Sequence, residues 1–337
     1  MDWLALDIGG ANLKMADGRG FADSRPFALW RESHRLAQEL RRLMAEAPAS
    51  DHLAVTMTGE LADCFETKEE GVRFILEAVG EASDGRHTRV YLCDGRMVTP
   101  QVALKDPLLA AAANWRALAE FAGRFAKRGG ALLIDVGSTT CDIVPLIDGK
   151  PATHNTTDLD RMLSGELVYT GVERSPVCAL VDRVPYRERE CPLAQEVFAT
   201  TRDVYLVLGE LAEHPADNHT ADHRPATREH AVRRLARMLS APADRFTADD
   251  AVAMAKVVAK AQAARIAAGV RQVVARMPVQ PEVCLLSGHG AMAAQRAIDQ
   301  DAALPAALSL GEKLGADVNR CLTAHALAVL SREASGP

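Results

Sequence analysis

Leu4-Ala-Leu-Asp7-Ile-Gly9-Gly10-Ala-Asn12 aligns without gaps on Leu132-Leu-Ile-Asp135-Val-Gly137-Ser138-Thr-Thr140, which lies 128 residues further along the chain. Each copy is a short apolar run that ends in an aspartate, continues into a glycine turn and leads into a second run typical of a strand. The repeat predicts two lobes that begin with equivalent β-hairpins.

Each glycine turn has the composition of an anion-binding nest. Backbone N–H groups point into such a turn, and glycine leaves room for a phosphate to approach the backbone. An aspartate at the strand end can orient a magnesium-bound water, so the metal would be held by Asp7 and Asp135. A single copy would be about as compatible with a plain β-turn, but two matched copies form a specific combination.

Composition limits the class of protein. The chain has 337 residues, which favours two domains, and a formal net charge of −6, which argues against a general nucleic-acid surface. Its seven cysteines are scattered and fit a reduced compartment. The N-terminus has no signal-peptide pattern, and no window is apolar enough to span a membrane. We therefore expect a cytoplasmic protein without nucleic-acid or membrane partners; a homo-oligomer stays open.

Periodicity and turn signals divide the chain into elements. Domain I is expected at 1–128 and domain II at 129–317, with a terminal helix, 318–332, that packs back on the first domain.

A loop at 214–227 is the candidate mobile segment, and Arg233, Arg234 and Arg237 are expected on a solvated helix face. Predicted strands are 2–8, 12–16, 52–57, 131–134 and 283–286; predicted helices are 32–46, 69–82, 107–127, 193–209, 227–240 and 247–277.

Two acidic loops, followed by a third glycine turn near the C-terminus, resemble the superfamily of actin, sugar kinases and heat-shock ATPases. The resemblance implies an α/β fold with two RNase H-like lobes and a cleft between them. It also implies Mg²⁺ as cofactor, with ATP as an alternative ligand, and adds Asp142 to the metal ligands. The implied phosphate-binding residues are Gly9, Gly10, Ala11, Asn12 and Lys14, then Gly137, Ser138, Thr139 and Thr140, then Gly288, His289 and Gly290 in an adenosine-type loop. A histidine at position 289 would be unusual against an adenine.

Three further segments resemble one subfamily, the hydantoinase/oxoprolinase-like group linked to tetrahydromethanopterin-dependent one-carbon metabolism. They are Thr56-Met-Thr-Gly-Glu60-Leu-Ala-Asp63, Gly165-Glu-Leu-Val-Tyr169-Thr-Gly171-Val-Glu-Arg174-Ser-Pro176, and Ala199-Thr-Thr-Arg-Asp203-Val-Tyr205. This resemblance implies a methanofuran-type biosynthetic transferase. Such an enzyme would displace pyrophosphate from an aminomethyl-furanmethyl diphosphate with the phenol oxygen of a (glutamyl)tyramine.

That reaction needs a base for the phenol and a cation for the leaving group. We expect Glu60 or Asp63 as the base and Lys14 as the cation. A role for Glu60 and Asp63 in capping the next helix is equally compatible with the sequence. Two other functions stay open: an ATP-dependent kinase or amidohydrolase, and a non-catalytic nucleotide sensor.

Overall fold

The computed structural model describes residues 1–242 and 244–336. Its strands are β1 (Trp3–Ile8), β2 (Asn12–Ala16), β3 (Ala22–Pro26), β4 (His52–Met57), β5 (His87–Tyr91), β6 (Met97–Val98), β7 (Gly130–Val136), β8 (Cys141–Ile147), β9 (Lys150–Pro151), β10 (Leu167–Val168), β11 (Arg183–Tyr186), β12 (Arg189–Pro192), β13 (Pro281–Ser287) and β14 (Ala307–Ser309). Its α-helices are α1 (Leu29–Glu32), α2 (Leu36–Glu46), α3 (Lys68–Ala82), α4 (Pro100–Ala103), α5 (Pro107–Ala110), α6 (Asn114–Ala122), α7 (Asp158–Ser164), α8 (Val177–Leu180), α9 (Thr201–Leu208), α10 (Arg228–Met238), α11 (Ala248–Val274), α12 (Ala291–Ile298), α13 (Leu310–Leu314), α14 (Ala316–Arg320) and α15 (Leu322–Ala334).

The two main sheets share one topology around their central strand. The first has the order β3-β2-β1-β4-β5-β6 and the second the order β10-β8-β7-β13-β14. The central strand, β1 or β7, pairs antiparallel with the strand that follows it and parallel with a strand that arrives after a helical connection. The repeat seen in the sequence is therefore a repeat of the whole sheet core, and the predicted α/β fold is confirmed.

Register places the two aspartates at equivalent positions. Asp7 on β1 lies opposite Lys14 on β2, and Asp135 on β7 lies opposite Asp142 on β8. The equivalent of the first lobe's lysine is thus an aspartate in the second lobe. This exchange of a cation for an anion makes the two halves of the protein chemically different.

Helix α15 lies against the first sheet, whose strands are distant from it in sequence. Its small and apolar residues Ala324, Leu327 and Ala328 share a core cluster with Trp3 and Ala5 of β1. The terminal helix thus contacts the first sheet, and the division into domains at residue 128 stays a prediction.

Two predicted helices are shorter in the structure. The helix expected at 107–127 is divided into α5 and α6, because residue Ala112 between them adopts φ 48° and interrupts the helical backbone. The helix expected at 193–209 begins only at Thr201, where Thr200 and Asp203 form a capping box. Residues 193–200 are apolar enough to imitate helical periodicity, but they lie in turns and extended backbone.

The 214–227 segment, expected to be mobile, is fastened to the second lobe. His214 and Ala226 form a backbone bridge, and Asp222 accepts hydrogen bonds from Arg234 at 3.0 Å and from Arg237 at 3.0 Å. The prediction that Arg233, Arg234 and Arg237 lie on a solvated face of α10 is wrong for Arg234, which is 0% exposed. Its guanidinium also donates to the buried Asp203 at 2.7 Å.

Within the part of the chain that the structure describes, no helix combines the length and apolar character that a membrane span requires.

We predict that Arg234→Met lowers the free energy of unfolding by about 3–5 kcal/mol, because it leaves the buried Asp203 without its counter-charge. Arg233 is the matched control, since it pairs with Glu229 on the solvent side with its side chain 49% exposed. Arg233→Met should cost less than about 1 kcal/mol. Urea unfolding followed by circular dichroism measures both, and equal losses would show that Arg234 has no special structural role.

Candidate active site

The two hairpin turns have the same hydrogen bond at the same place. Gly9 N–H donates to the Asn12 carbonyl at 3.0 Å, and Gly137 N–H donates to the Thr140 carbonyl at 2.9 Å. A β-carbon on Gly9 would lie 2.9 Å from the Asn12 oxygen, whereas one on Gly10 would meet nothing within 4 Å. The first glycine therefore closes the turn, and the second borders open space where an anion can approach.

Both turns border one cleft between the two sheets, with a volume of about 420 Å³. Predicted residues that line this cleft are Asp7, Gly9, Gly10, Ala11, Asn12, Lys14, Glu60, Asp63, Asp135, Gly137, Ser138, Thr139, Thr140 and Asp142. The structure thus brings the first two predicted loops, the metal-ligand candidates and both base candidates to a single cavity.

Asp7 has a carboxylate oxygen without a protein partner at this cleft. It is 4% exposed, and its Oδ1 has no hydrogen-bond partner among residues 1–242 and 244–336. Burial raises the pKa of Asp7; the charge of Lys14 opposes this rise and that of Asp135 adds to it. Because the Oδ1 of ionised Asp7 lacks a donor among the described residues, a cation in the cleft would stabilise it.

Asp135 and Asp142 are already engaged by protein donors. Ser287 Oγ donates to Asp135 Oδ1 at 2.5 Å, and Arg161 Nη1 donates to Asp142 Oδ1 at 2.8 Å. Burial raises the pKa of Asp142 to about 6, and Arg161 opposes this shift. Asp142 Oδ1 is thus a partner of Arg161 in this arrangement, and the role of Asp142 as a metal ligand stays a prediction.

The donor set still suits magnesium. No cluster of three acidic, histidine or cysteine ligands occurs in the described ranges. Mg²⁺ is usually held by one or two carboxylates together with substrate phosphates and water. Asp7, with its unpartnered oxygen, and Asp135 at the equivalent strand end fit that mode.

Glu60 lies in a 3₁₀ turn after β4 and is 1% exposed. Helix α3 packs closely on it, since a β-carbon on Gly71 would lie 2.4 Å from the Glu60 carbonyl oxygen. Burial raises the pKa of Glu60 to about 7, with Lys68, whose Nζ lies 4.0 Å from Oε1, acting in the opposite direction. Its Oε2 has no hydrogen-bond partner in the described chain. A raised pKa and an unpartnered oxygen are what a general base near neutral pH requires, and this role of Glu60 stays a prediction.

The alternative role for Glu60 and Asp63, capping the following helix, is wrong. Thr67 caps α3, because its side chain accepts a hydrogen bond from the Glu70 N–H. Asp63 is exposed and lies at the edge of the cleft.

The third glycine turn lies behind the second loop. Gly290 N–H donates to the Val136 carbonyl at 3.0 Å, and a β-carbon on Gly288, which has φ +79°, would lie 2.3 Å from the same oxygen. His289 Nε2 faces Glu173 Oε1 at 3.3 Å. Among described residues, the cleft lining includes no member of this turn, so its predicted role in phosphate binding stays a prediction.

Sequence reasoning assigned no role to several cleft residues from the two lobes. Arg174 places its guanidinium carbon 4.8 Å from the Trp30 ring centroid. The backbone N–H of Arg174 donates to the Ser138 carbonyl at 3.0 Å. Tyr169, 57% exposed, also lines the cleft. Arg174 and Tyr169 belong to the Gly165–Pro176 motif, which offered a signal; nothing in the local sequence identified Trp30.

A close approach explains part of that motif. A β-carbon on Gly171 would lie 2.4 Å from Thr139 N, so only glycine lets this segment support the second loop. The motif therefore fixes both the turn that faces the cleft and the arginine beside it.

The paired sheets, their equivalent hairpins and the shared cleft define a two-lobed α/β protein with the actin-like fold. The Lmo2764 protein from Listeria monocytogenes, assigned as an N-acetylmannosamine kinase, has the same fold. It aligns with 98% of this chain and 100% of its own, at 14% identity and a TM-score of 0.51.

Within this class, the chain belongs to the hydantoinase/oxoprolinase family, which it matches over residues 51–300. A curated relative in Methanocaldococcus jannaschii is named (4-{4-[2-(gamma-L-glutamylamino)ethyl]phenoxymethyl}furan-2-yl)methanamine synthase. It is 35% identical over 256 residues, which are 74% of this chain and 74% of the relative. A relative of the same name in Methanococcus vannielii is 35% identical over 124 residues, which are 37% of this chain and 55% of the relative.

We predict that Gly10→Val keeps the thermal unfolding midpoint and weakens pyrophosphate binding about tenfold or more. The new side chain has space in the fold but occupies the volume in front of the first turn. Gly80→Ala is the matched control, because Gly80 also has open space but lies on α3 away from the cleft lining. Calorimetric titration with magnesium pyrophosphate measures the change; unaltered affinity in Gly10→Val would remove this turn from the binding site.

Proposed function

We propose that this protein is a transferase that forms an aryl ether in methanofuran-type coenzyme biosynthesis. It would displace pyrophosphate from an aminomethyl-furanmethyl diphosphate with the phenol of a (glutamyl)tyramine. One observation carries the proposal: two matched amide-lined turns and a buried carboxyl group of near-neutral pKa border the same cleft. The relatives' name describes a product in which a phenol oxygen is joined to a furan through a CH2 group.

The two turns provide the part of the site that holds the diphosphate. Their N–H groups recognise phosphate oxygens and not a nucleoside, so a fold that suits ATP also suits a diphosphate leaving group. Magnesium, when bound, would neutralise charge on the departing pyrophosphate. Asp7 and Asp135 are the residues that would hold it.

Cationic side chains from both lobes would stabilise the same leaving group. Lys14 projects from β2 into the cleft, and Arg174 extends over it from beside the second turn. As the bond between the furan CH2 and the diphosphate oxygen breaks, both electrons leave with pyrophosphate. The furan ring stabilises the positive charge that develops on the CH2 carbon.

The phenol oxygen then forms the new bond to that carbon, and its proton moves to Glu60. The oxygen must lie in line with the bond that breaks, which the cleft achieves by holding both substrates between the lobes. The half-buried ring of Trp30 and the exposed ring of Tyr169 offer surfaces for the ring of the acceptor.

The small-molecule phosphorylated substrate and the phenolic amine would be the partners of this site, and the cytoplasm its compartment. All seven cysteines are unpaired, which agrees with a reducing compartment.

We predict that Asp7→Ala and Asp135→Ala each lower turnover by at least about a hundredfold, because the magnesium-bound leaving group loses its anchor. Ether and pyrophosphate are measured in the same assay, without ATP. Burial raises the pKa of Asp7, so keeping its side chain ionised in the folded protein costs free energy at pH 8. Asp7→Ala removes this cost and should be at least as stable as the parent at pH 8.

The same assay separates the other functions. Formation of ADP would indicate a kinase or an ATP-dependent amidohydrolase, and binding without turnover would indicate a sensor. Near-parental ether formation by either alanine variant would contradict the metal assignment.

We predict that kcat/KM rises with pH and reaches a plateau above about pH 7, because Glu60 must be ionised to accept the phenol proton. Below pH 7 the rate should fall about tenfold per pH unit. Glu60→Gln should lower the plateau by about a hundredfold or more and lose this limb. Asp63→Asn serves as control and should keep it; loss of the limb in Asp63→Asn alone would identify Asp63 as the base.

A further inference from the structure

One ammonium group connects the candidate base to the opposite side of the cleft. Lys68, the first residue of α3, places Nζ 2.5 Å from Asp158 Oδ2 and 4.0 Å from Glu60 Oε1. Lys68 and Glu60 belong to the part of the chain that carries the first sheet, whereas Asp158 is the first residue of α7 and precedes β10 of the second sheet. The ion pair therefore crosses between the two halves of the protein.

The three groups are shielded from solvent to different degrees. The Glu60 side chain is 1% exposed, while those of Lys68 and Asp158 are 27% and 22% exposed. Lys68 makes its hydrogen bond to Asp158 and only a longer contact to Glu60. The better solvated carboxylate of the second half thus holds the cation beside the buried carboxyl group of the first.

We propose that Lys68 is a positioning residue, and that Asp158 draws its ammonium away from Glu60 only when the two halves lie together. This inference rests on the proposed function, since it assigns Glu60 as the base. When the halves separate, Asp158 leaves, the ammonium turns to Glu60, and the carboxylate becomes a weaker base. The base is then at full strength only in the closed cleft, where both substrates are held and bulk water is excluded.

Neighbouring charges act in directions that support this assignment. Lys68 lowers the pKa of Glu60, while Asp158 and Asp7 raise it. Further titratable or charged groups near the pair include Cys93, Asp94, Asp142 and Arg161. Cys93 is buried with its pKa raised to about 12 by burial, so it stays neutral in the working pH range.

The proposal predicts shifts of opposite sign when the two partners are removed. Lys68→Met should raise the titration midpoint of Glu60 by about one pH unit, because it removes a nearby cation. Asp158→Asn should lower it by about one pH unit, because the ammonium is released to Glu60. Shifts of the same sign, or no shift, would contradict the coupling of the Lys68 ammonium to both carboxylates.

The experiment is a ¹³C NMR titration of the glutamate carboxyl carbons in the full chain, with the Glu60 signal assigned by its loss in Glu60→Gln. Lys260→Met is the control, because Lys260 is exposed on α11 and lies outside the cleft lining; its midpoint should equal that of the parent. Lys68→Arg keeps the charge and should stay within about half a pH unit of the parent, which leaves the proposal testable if Lys68→Met does not fold.

The titration needs no turnover, so it separates this inference from the proposed function. Opposite shifts, reproduced in the acid limb of kcat/KM, support it. Opposite shifts in a protein that forms no ether would leave the charge coupling intact and overturn the transferase. Ether formation with shifts of one sign, or with no shift, would overturn the role of Lys68.

Discussion

The structure depends on one hydrogen bond that occurs twice, from the first glycine N–H of each hairpin turn to the carbonyl three residues later. This bond closes the turn tightly enough to direct the following amides and the preceding strand-end aspartate toward the same cleft. Amides alone would attract any anion, and carboxylates alone would repel one. In the proposed function, amides and carboxylates together with a divalent cation would form a site selective for magnesium-bound phosphate groups.

The two halves are alike in backbone and different in charge. Lys14 and Asp142 occupy equivalent register positions, and Arg161 compensates the second of them with a buried ion pair. In the proposed function, Lys14 of the first half would face the leaving group, while the corresponding position in the second half is occupied by the pair of Asp142 and Arg161. Reactants bound between the two halves would therefore meet different charges on their two sides. This difference suits a reaction in which negative charge accumulates on one of the reactants.

Local sequence patterns were sufficient to predict the fold and the two hairpin turns. The apolar runs, the aspartates and the glycines that form them are contiguous, and their spacing is the same in both copies. Helix lengths were less predictable. Ala112 departs from helical backbone within an alanine-rich segment whose composition favours a helix, since tertiary packing overrides propensity there.

Residues that act across the cleft could not be identified in this way. The pair of Lys68 and Asp158, and the stack of Arg174 on Trp30, join segments separated by about ninety residues or more. Their proximity follows from how the halves meet, and no local pattern records it. Arg234 shows the same limit. The residues next to it in sequence predict a solvated side chain, but the 214–227 segment covers it.

A crystal structure of the protein soaked with Mn²⁺ and pyrophosphate tests the central claim most directly. Anomalous scattering should place one metal ion beside Asp7 and Asp135, with the pyrophosphate against the Gly9–Gly10 and Gly137–Ser138 amides. Metal and pyrophosphate bound elsewhere, with both turns facing only solvent, would contradict the account.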